Sequence, residues 1–157
     1  MKFAAAFSLF LTLSVASHAQ AQERQWSLDA SNNQAFLSFG VPESDDVGLS
    51  LWCDVGKTKI SALMPDSVAK LHQGEILTVQ VDVDGHAERV IGLVSRDGAS
   101  GKLVVVTYFG LKGSVMQALR HGQTLALSVK GHVTRFPIAD ADFDGLVDAC
   151  NGIDPAG

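Results

Sequence analysis

One stretch near the middle of the chain, residues 76–94, limits the possible folds most severely. Two runs rich in β-branched residues, 76–83 and 87–94, flank the dipeptide Asp84-Gly85. Asp-Gly between such runs signals a tight hairpin, because the favoured two-residue turn needs positive φ at both positions. A two-residue turn sets Val79 opposite Val90 but Val81 opposite Glu88. A three-residue turn through His86 pairs Val79 with Ile91 and Leu77 with Leu93, and the apolar pattern favours this second register.

The same two-residue period recurs on either side of the hairpin. Residues 35–41 form a strand closed by Pro42. Residues 49–54 alternate, with Leu49, Leu51 and Cys53 on one face and Ser50, Trp52 and Asp54 on the other. Residues 58–64 follow a turn at Gly56 and stop at Pro65, and residues 103–108 are apolar enough to be central in a sheet. Leu125, Leu127 and Val129 alternate again, Lys130-Gly131 reverses the chain, and Pro137 places the returning strand at an edge. Residues 22–33 are polar apart from Trp26 and Leu28 and read as a loosely held lead-in.

Helical spacing interrupts this pattern twice. Leu111, Val115, Ala118 and Leu119 share one face of a helix over about 111–121, with Ser114 as its cap, Arg120 and His121 at its C-terminal dipole and Gly122 at the C′ position. Phe143, Leu146, Val147 and Cys150 make a second apolar stripe over about 142–150. The expected fold is mainly β: an antiparallel β-sandwich or barrel-like sheet of seven or eight strands, with two short helices.

Residues 1–21 have the three-part form of a cleaved secretory signal. Lys2 is the charged start, residues 3–16 the apolar core, and Ser17-His18-Ala19 or Ala19-Gln20-Ala21 the cleavage site. Residues 22–157 then form a single β-rich domain in the periplasm or beyond it. The 157-residue chain is 46% hydrophobic and 18% charged, which excludes a disordered polymer. Its net charge of −5, one unit more acidic once Lys2 is removed, argues against nucleic acid and anionic lipid as partners. No run after the leader is long and apolar enough for a membrane-spanning helix, so no membrane insertion is expected. In an exported chain the two cysteines, Cys53 and Cys150, read as one disulfide.

Chemistry concentrates at the C-terminus. Asp140, Asp142, Asp144, the Leu146 carbonyl, Asp148 and Asn151 fall at positions 1, 3, 5, 7, 9 and 12 of a calcium loop, with Gly145 at the sharp turn. The competing reading is a capped amphipathic helix, with Asp140 or Asp142 as N-cap and Asp144 complementing the dipole. No catalytic constellation emerges. His72, His86, His121 and His132 lack ligand spacing, Gly113-Ser114-Val115 is not a nucleophile elbow, and the acid pairs Asp45/Asp46 and Asp82/Asp84 lie in loops and turns. A small hydrolase with an unrecognised site is the least favoured reading. Trp52, on the strand face opposite Cys53, is the candidate partner-binding residue if exposed; otherwise it packs beneath a helix.

Two resemblances follow from these residues. The stretch from Asp140 to Asn151 resembles a single thrombospondin type 3 calcium repeat, which implies calcium as a ligand. Other features span Trp26 to Cys150: the strand and turn of Leu51-Trp52-Cys53-Asp54-Val55-Gly56-Lys57-Thr58, the helix at Ser114, Gly122-Gln123-Thr124-Leu125 and the ending from Phe136. Through these the chain is similar to small exported bacterial proteins of the invasion-associated locus B family and of type VI secretion accessory proteins. That resemblance implies a periplasmic, non-enzymatic accessory protein with a disulfide-tied β-fold, and for such a module a protein partner and no resident cofactor are expected.

Overall fold

A computed structural model describes residues 23–64, 70–98 and 100–153. The signal-peptide expectation for residues 1–21 lies outside the described residues. Nine strands and two helices follow one another as β1 (Gln25–Ser31), β2 (Gln34–Gly40), β3 (Val47–Asp54), β4 (Lys59–Met64), β5 (Ile76–Val83), β6 (His86–Arg96), β7 (Leu103–Gly110), α1 (Ser114–His121), β8 (Thr124–Val129), β9 (His132–Pro137) and α2 (Phe143–Cys150). All nine strands join one antiparallel sheet in the order β1-β2-β3-β4-β7-β6-β5-β8-β9. It is the barrel-like alternative, curled into a half-barrel rather than stacked as a sandwich.

The two ends of the sheet meet at one corner. There Trp26 Nε1 in β1 donates to the Pro137 carbonyl in β9 at 2.6 Å. Phe39 of β2 meets Phe136 of β9 edge-on at 5.9 Å, and Trp26 packs on Phe39 and on Phe143 of α2 at 5.3 and 5.8 Å. Each such aromatic pair adds about 0.5–1.5 kcal/mol beyond its burial. The stretch expected to be a loose lead-in is therefore strand β1. Its turn, Asn32-Asn33, holds φ of 51° and 63°, values that asparagine tolerates better than most residues. That hairpin brings the strand count to nine.

The central hairpin takes the two-residue turn, not the three-residue one. Asp84 and Gly85 have φ of 50° and 89°, and the register pairs Val79 with Val90 and Val81 with Glu88. Two contacts explain the choice. The Asp84 carboxylate accepts the backbone N–H groups of Gln123 and Thr124 at 2.8 and 2.9 Å, which pins the turn to the start of β8. Glu88 shares a face with Val81 yet is not buried, because it lies at the rim and accepts the Ser114 hydroxyl at 2.8 Å.

The helices fill the concave side. In α1 the buried residues are Val115, Met116 and Leu119, but the helix begins later than its apolar spacing suggests. Leu111 precedes it, its N–H held by the Thr58 carbonyl at 2.9 Å, and Gly113 rather than Ser114 is the N-cap. Ser114 is thus drawn to Glu88 instead of capping. Gly122 follows α1 with φ of −83°, so a left-handed C′ turn is not the reason for glycine. Space is: a Cβ there would lie 2.3 Å from Val83 Cγ1.

The second helix matches its expectation closely. Asp142 caps it, Oδ1 accepting the Gly145 N–H at 2.8 Å, and Phe143, Leu146, Ala149 and Cys150 are buried. Cys150 bonds Cys53 in β3, with 5.9 Å between their Cα atoms. The Gly56 N–H donates to the Cys150 carbonyl at 2.8 Å, so the helix end is anchored by a backbone bond as well.

Candidate functional site

The disulfide fixes which face of β3 looks inward. Cys53, Leu51 and Leu49 point to the helices and are buried, so Trp52, Ser50 and Asp54 point to the convex side. Trp52 is half-buried there and lies beneath neither helix. Its register neighbours run Phe36 in β2, Trp52, Ser61 in β4 and Tyr108 in β7. One step along the strands a parallel row runs Ser50, Leu63, Val106, Leu93 and Ile76, crossing β3, β4, β7, β6 and β5.

These rows, with Ile91 next to Leu93 on the same face of β6, place a cluster of exposed apolar residues (the belt) on the outside of the sheet, interrupted by Ser50, Ser61 and the buried Val106. Ile76 is 72% exposed, Ile91 65%, Tyr108 53% and Leu93 40%. From β3 to β5 the belt covers four strand spacings, about 19 Å. Single exposed leucines are commonplace, whereas a contiguous exposed patch on a sheet face marks an interaction surface. The sequence signal was present in the uninterrupted apolar runs of β6 and β7, since a strand that is apolar on both faces expects cover on both. The helices cover only the concave one.

At its β3 end the belt borders a groove of about 400 Å³ lined by Trp52, Asp54, Lys57, Lys59, Ser61 and Tyr108. Asp54 is partly engaged, accepting Gln34 Nε2 at 2.9 Å. Among the described residues, the Lys57 and Lys59 ammonium groups and the Ser61 hydroxyl make no hydrogen bond or ion pair.

The calcium-loop residues are spread along and around α2. Asp140 lies in an exposed turn, Asp142 is the helix cap, and Asp144 pairs with Arg120 of α1. Leu146 is fully buried, Asp148 is exposed, and Asn151 turns its amide to the Val147 carbonyl at 2.9 Å. Gly145 has helical geometry, and its role is close approach, because a Cβ would lie 2.8 Å from Leu28 Cδ2 of β1. Among the described residues no three His, Cys, Asp or Glu side chains converge as a metal cluster.

The remaining candidates serve the fold. Asp82 accepts the Gly85 N–H at 2.9 Å, and His72, His86, His121 and His132 are exposed and scattered. Two carboxyl groups titrate below their ordinary range. Asp46 does so because Arg24 donates to it, and Glu75 because Lys130 does. Both pairs lie at the rim of the sheet, not in the belt.

No family model, no curated protein and no solved structure matches this chain. Among the described residues no helix is long and apolar enough to cross a membrane.

Proposed function

We propose that this protein is a non-catalytic periplasmic accessory module that docks a protein partner on its convex face. The observation that carries the reading is the exposed cluster of Ile76, Ile91, Leu93 and Tyr108, which no described element covers, continued at lower exposure by Trp52. Water-exposed apolar area of this kind is stabilised when a partner covers it, at about 25 cal/mol per Å² before the costs of association. A convex face touches a second convex copy over a small area, so a concave or extended partner suits it better than self-association. A buried disulfide closing a 97-residue loop fits an oxidising compartment, which supports export.

The test is site-specific photo-cross-linking in the producing cell, with the reactive residue at Ile91 or Tyr108 and, as control, at His121 beside the helices. A discrete heavier adduct from the two belt positions, absent at His121, is the expected result. Equal labelling at all three positions, or none, counts against the proposal.

A further inference from the structure

The groove beside Trp52 differs from the rest of the convex face. Around Ile76, Ile91 and Leu93 the surface is aliphatic, whereas the groove mixes two aromatic rings with hydroxyl, carboxylate and ammonium groups. Trp52 and Tyr108 are separated by one strand, with Ser61 registered between them. Two strand spacings place their Cα atoms about 9.5 Å apart. The two rings do not stack on each other: the described ring pairs involve Trp26, Phe39, Phe136 and Phe143 only. Each ring is thus a separate platform, with a hydrogen-bonding hydroxyl between the two and two cations at one end.

We infer that this groove binds a glycan strand bearing carboxylates. A pyranose ring presents a face of C–H groups that packs on an aromatic ring, and its rim of hydroxyls needs donors and acceptors in the plane. Two rings at this spacing accept alternate sugars of an extended strand. Ser61 and the free acceptor capacity of Asp54 meet hydroxyls between them. Lys57 and Lys59, unpaired among the described residues, supply the charge complement for a sugar carboxylate. An aliphatic peptide segment would leave those polar groups uncompensated on desolvation, which favours a sugar over a peptide at this end. The inference shares Tyr108 with the protein-docking face but rests on Trp52, Ser61 and the two lysines, so cross-linking at Ile91 and the titration at Trp52 can each fail alone.

The experiment is an NMR titration of the oxidised protein with three probes. These are a peptide-free tetrasaccharide of alternating N-acetylglucosamine and N-acetylmuramic acid, its neutral counterpart chitotetraose, and tetra-glutamate. The expected result is saturable shifts at Trp52, Ser61 and Tyr108 with the acidic tetrasaccharide. Chitotetraose should bind about fivefold more weakly, as loss of about 1 kcal/mol of charge contacts implies. Trp52→Ala or Tyr108→Ala should each weaken the complex by about tenfold, and Val133→Thr, at an exposed position of β9 on the far side of the sheet, should leave it unchanged. Both aromatic side chains lie on the outer face, and retention of the wild-type amide spectrum elsewhere verifies that each variant is folded. The inference is overturned if the acidic tetrasaccharide gives no saturable shifts at the groove. It is equally overturned if tetra-glutamate or chitotetraose binds as tightly, or if both aromatic variants bind like the wild type.

Discussion

Both faces of this sheet carry large aliphatic residues, and these have opposite fates. On the concave side, Leu49, Leu51, Val79, Val81 and Leu127 are sealed in one core formed by the curled sheet with α1 and α2, with the Cys53–Cys150 bond fastening the second helix in place. On the convex side, Ile76, Ile91 and Leu93 are exposed, with no described element above them, although Val104 and Val106 beside them are buried. Strand β5 supplies residues to both sets, so the difference does not come from β-propensity. It comes from which face the curl of the sheet and the two eight-residue helices enclose. Apolar residues on the inside are explained by the fold, and those exposed on the outside call for something the described residues do not supply.

The sharpest way to break the concave half of that contrast is to release α2. Cys53→Ser removes a cross-link over a 97-residue loop, which the chain-entropy model values at roughly 4–5 kcal/mol. A thermal melt of the variant should fall by about 15 °C, and an unchanged melting temperature under oxidising conditions would show that packing alone seats the helix.

A smaller effect is expected where the sheet ends meet. Trp26→Phe keeps an aromatic ring against Phe39 and Phe143 but removes the donor to the Pro137 carbonyl. Loss of one hydrogen bond of about 1 kcal/mol should lower the melting temperature by about 3–4 °C, with faster amide exchange at the β1 and β9 edges. Exchange that quickens throughout the sheet instead would mean the corner is not a local clasp.

Acid should act weakly, at the rim. Lys130 lowers the Glu75 pKa and Arg24 lowers that of Asp46. A carboxyl with a folded pKa below its unfolded one adds stability that is fully present above the unfolded value and is lost as pH falls through the folded one. Stability should therefore decline on acidification through the carboxylate range, and Glu75→Gln should flatten part of that decline. Both groups are solvated, so the effect is slight. A steeper acid dependence in Glu75→Gln would contradict this assignment.

Calcium is expected to do least. Asp142 is committed to capping α2 and Asp144 to Arg120, so excess calcium followed by chelator should leave the melting curve in place. A binder of the folded state would raise stability by about 2.7 kcal/mol at a hundredfold excess over its dissociation constant. An upward shift of that size, lost in Asp142→Asn, would establish the Asp140-to-Asn151 loop as a metal site.

Much of this architecture was legible in the residues, and the misses have physical causes. The terminal helix was readable because its apolar stripe and its aspartate cap point to the same answer. Strand β1 was hidden because its burial is partial and because, beyond its ladder with β2, it is tied to the far end of the sheet by a tryptophan bonded 111 residues away, which no local pattern reports. The hairpin register was missed because Glu88 looked unsuited to face Val81, and only the approach of Ser114 from α1 makes that pairing comfortable. Trp52 was placed on the outer face by simple alternation from Cys53. The belt around it was not foreseen as a unit, since Ile76, Ile91 and Tyr108 become neighbours only through pairings across β5, β6 and β7.

The most direct test of the contrast is the melting temperature of the triple variant Ile76→Thr/Ile91→Thr/Leu93→Thr, measured beside Leu146→Ala. Threonine keeps the sheet-forming branch while removing most of the apolar surface, whereas Leu146 is fully buried at the heart of α2. If the convex belt serves a partner and not the fold, the triple variant melts within about 2 °C of the wild type while Leu146→Ala loses about 10 °C. A triple variant that falls as far as Leu146→Ala would show that the belt is part of the folded core, and the docking face would have to be sought elsewhere.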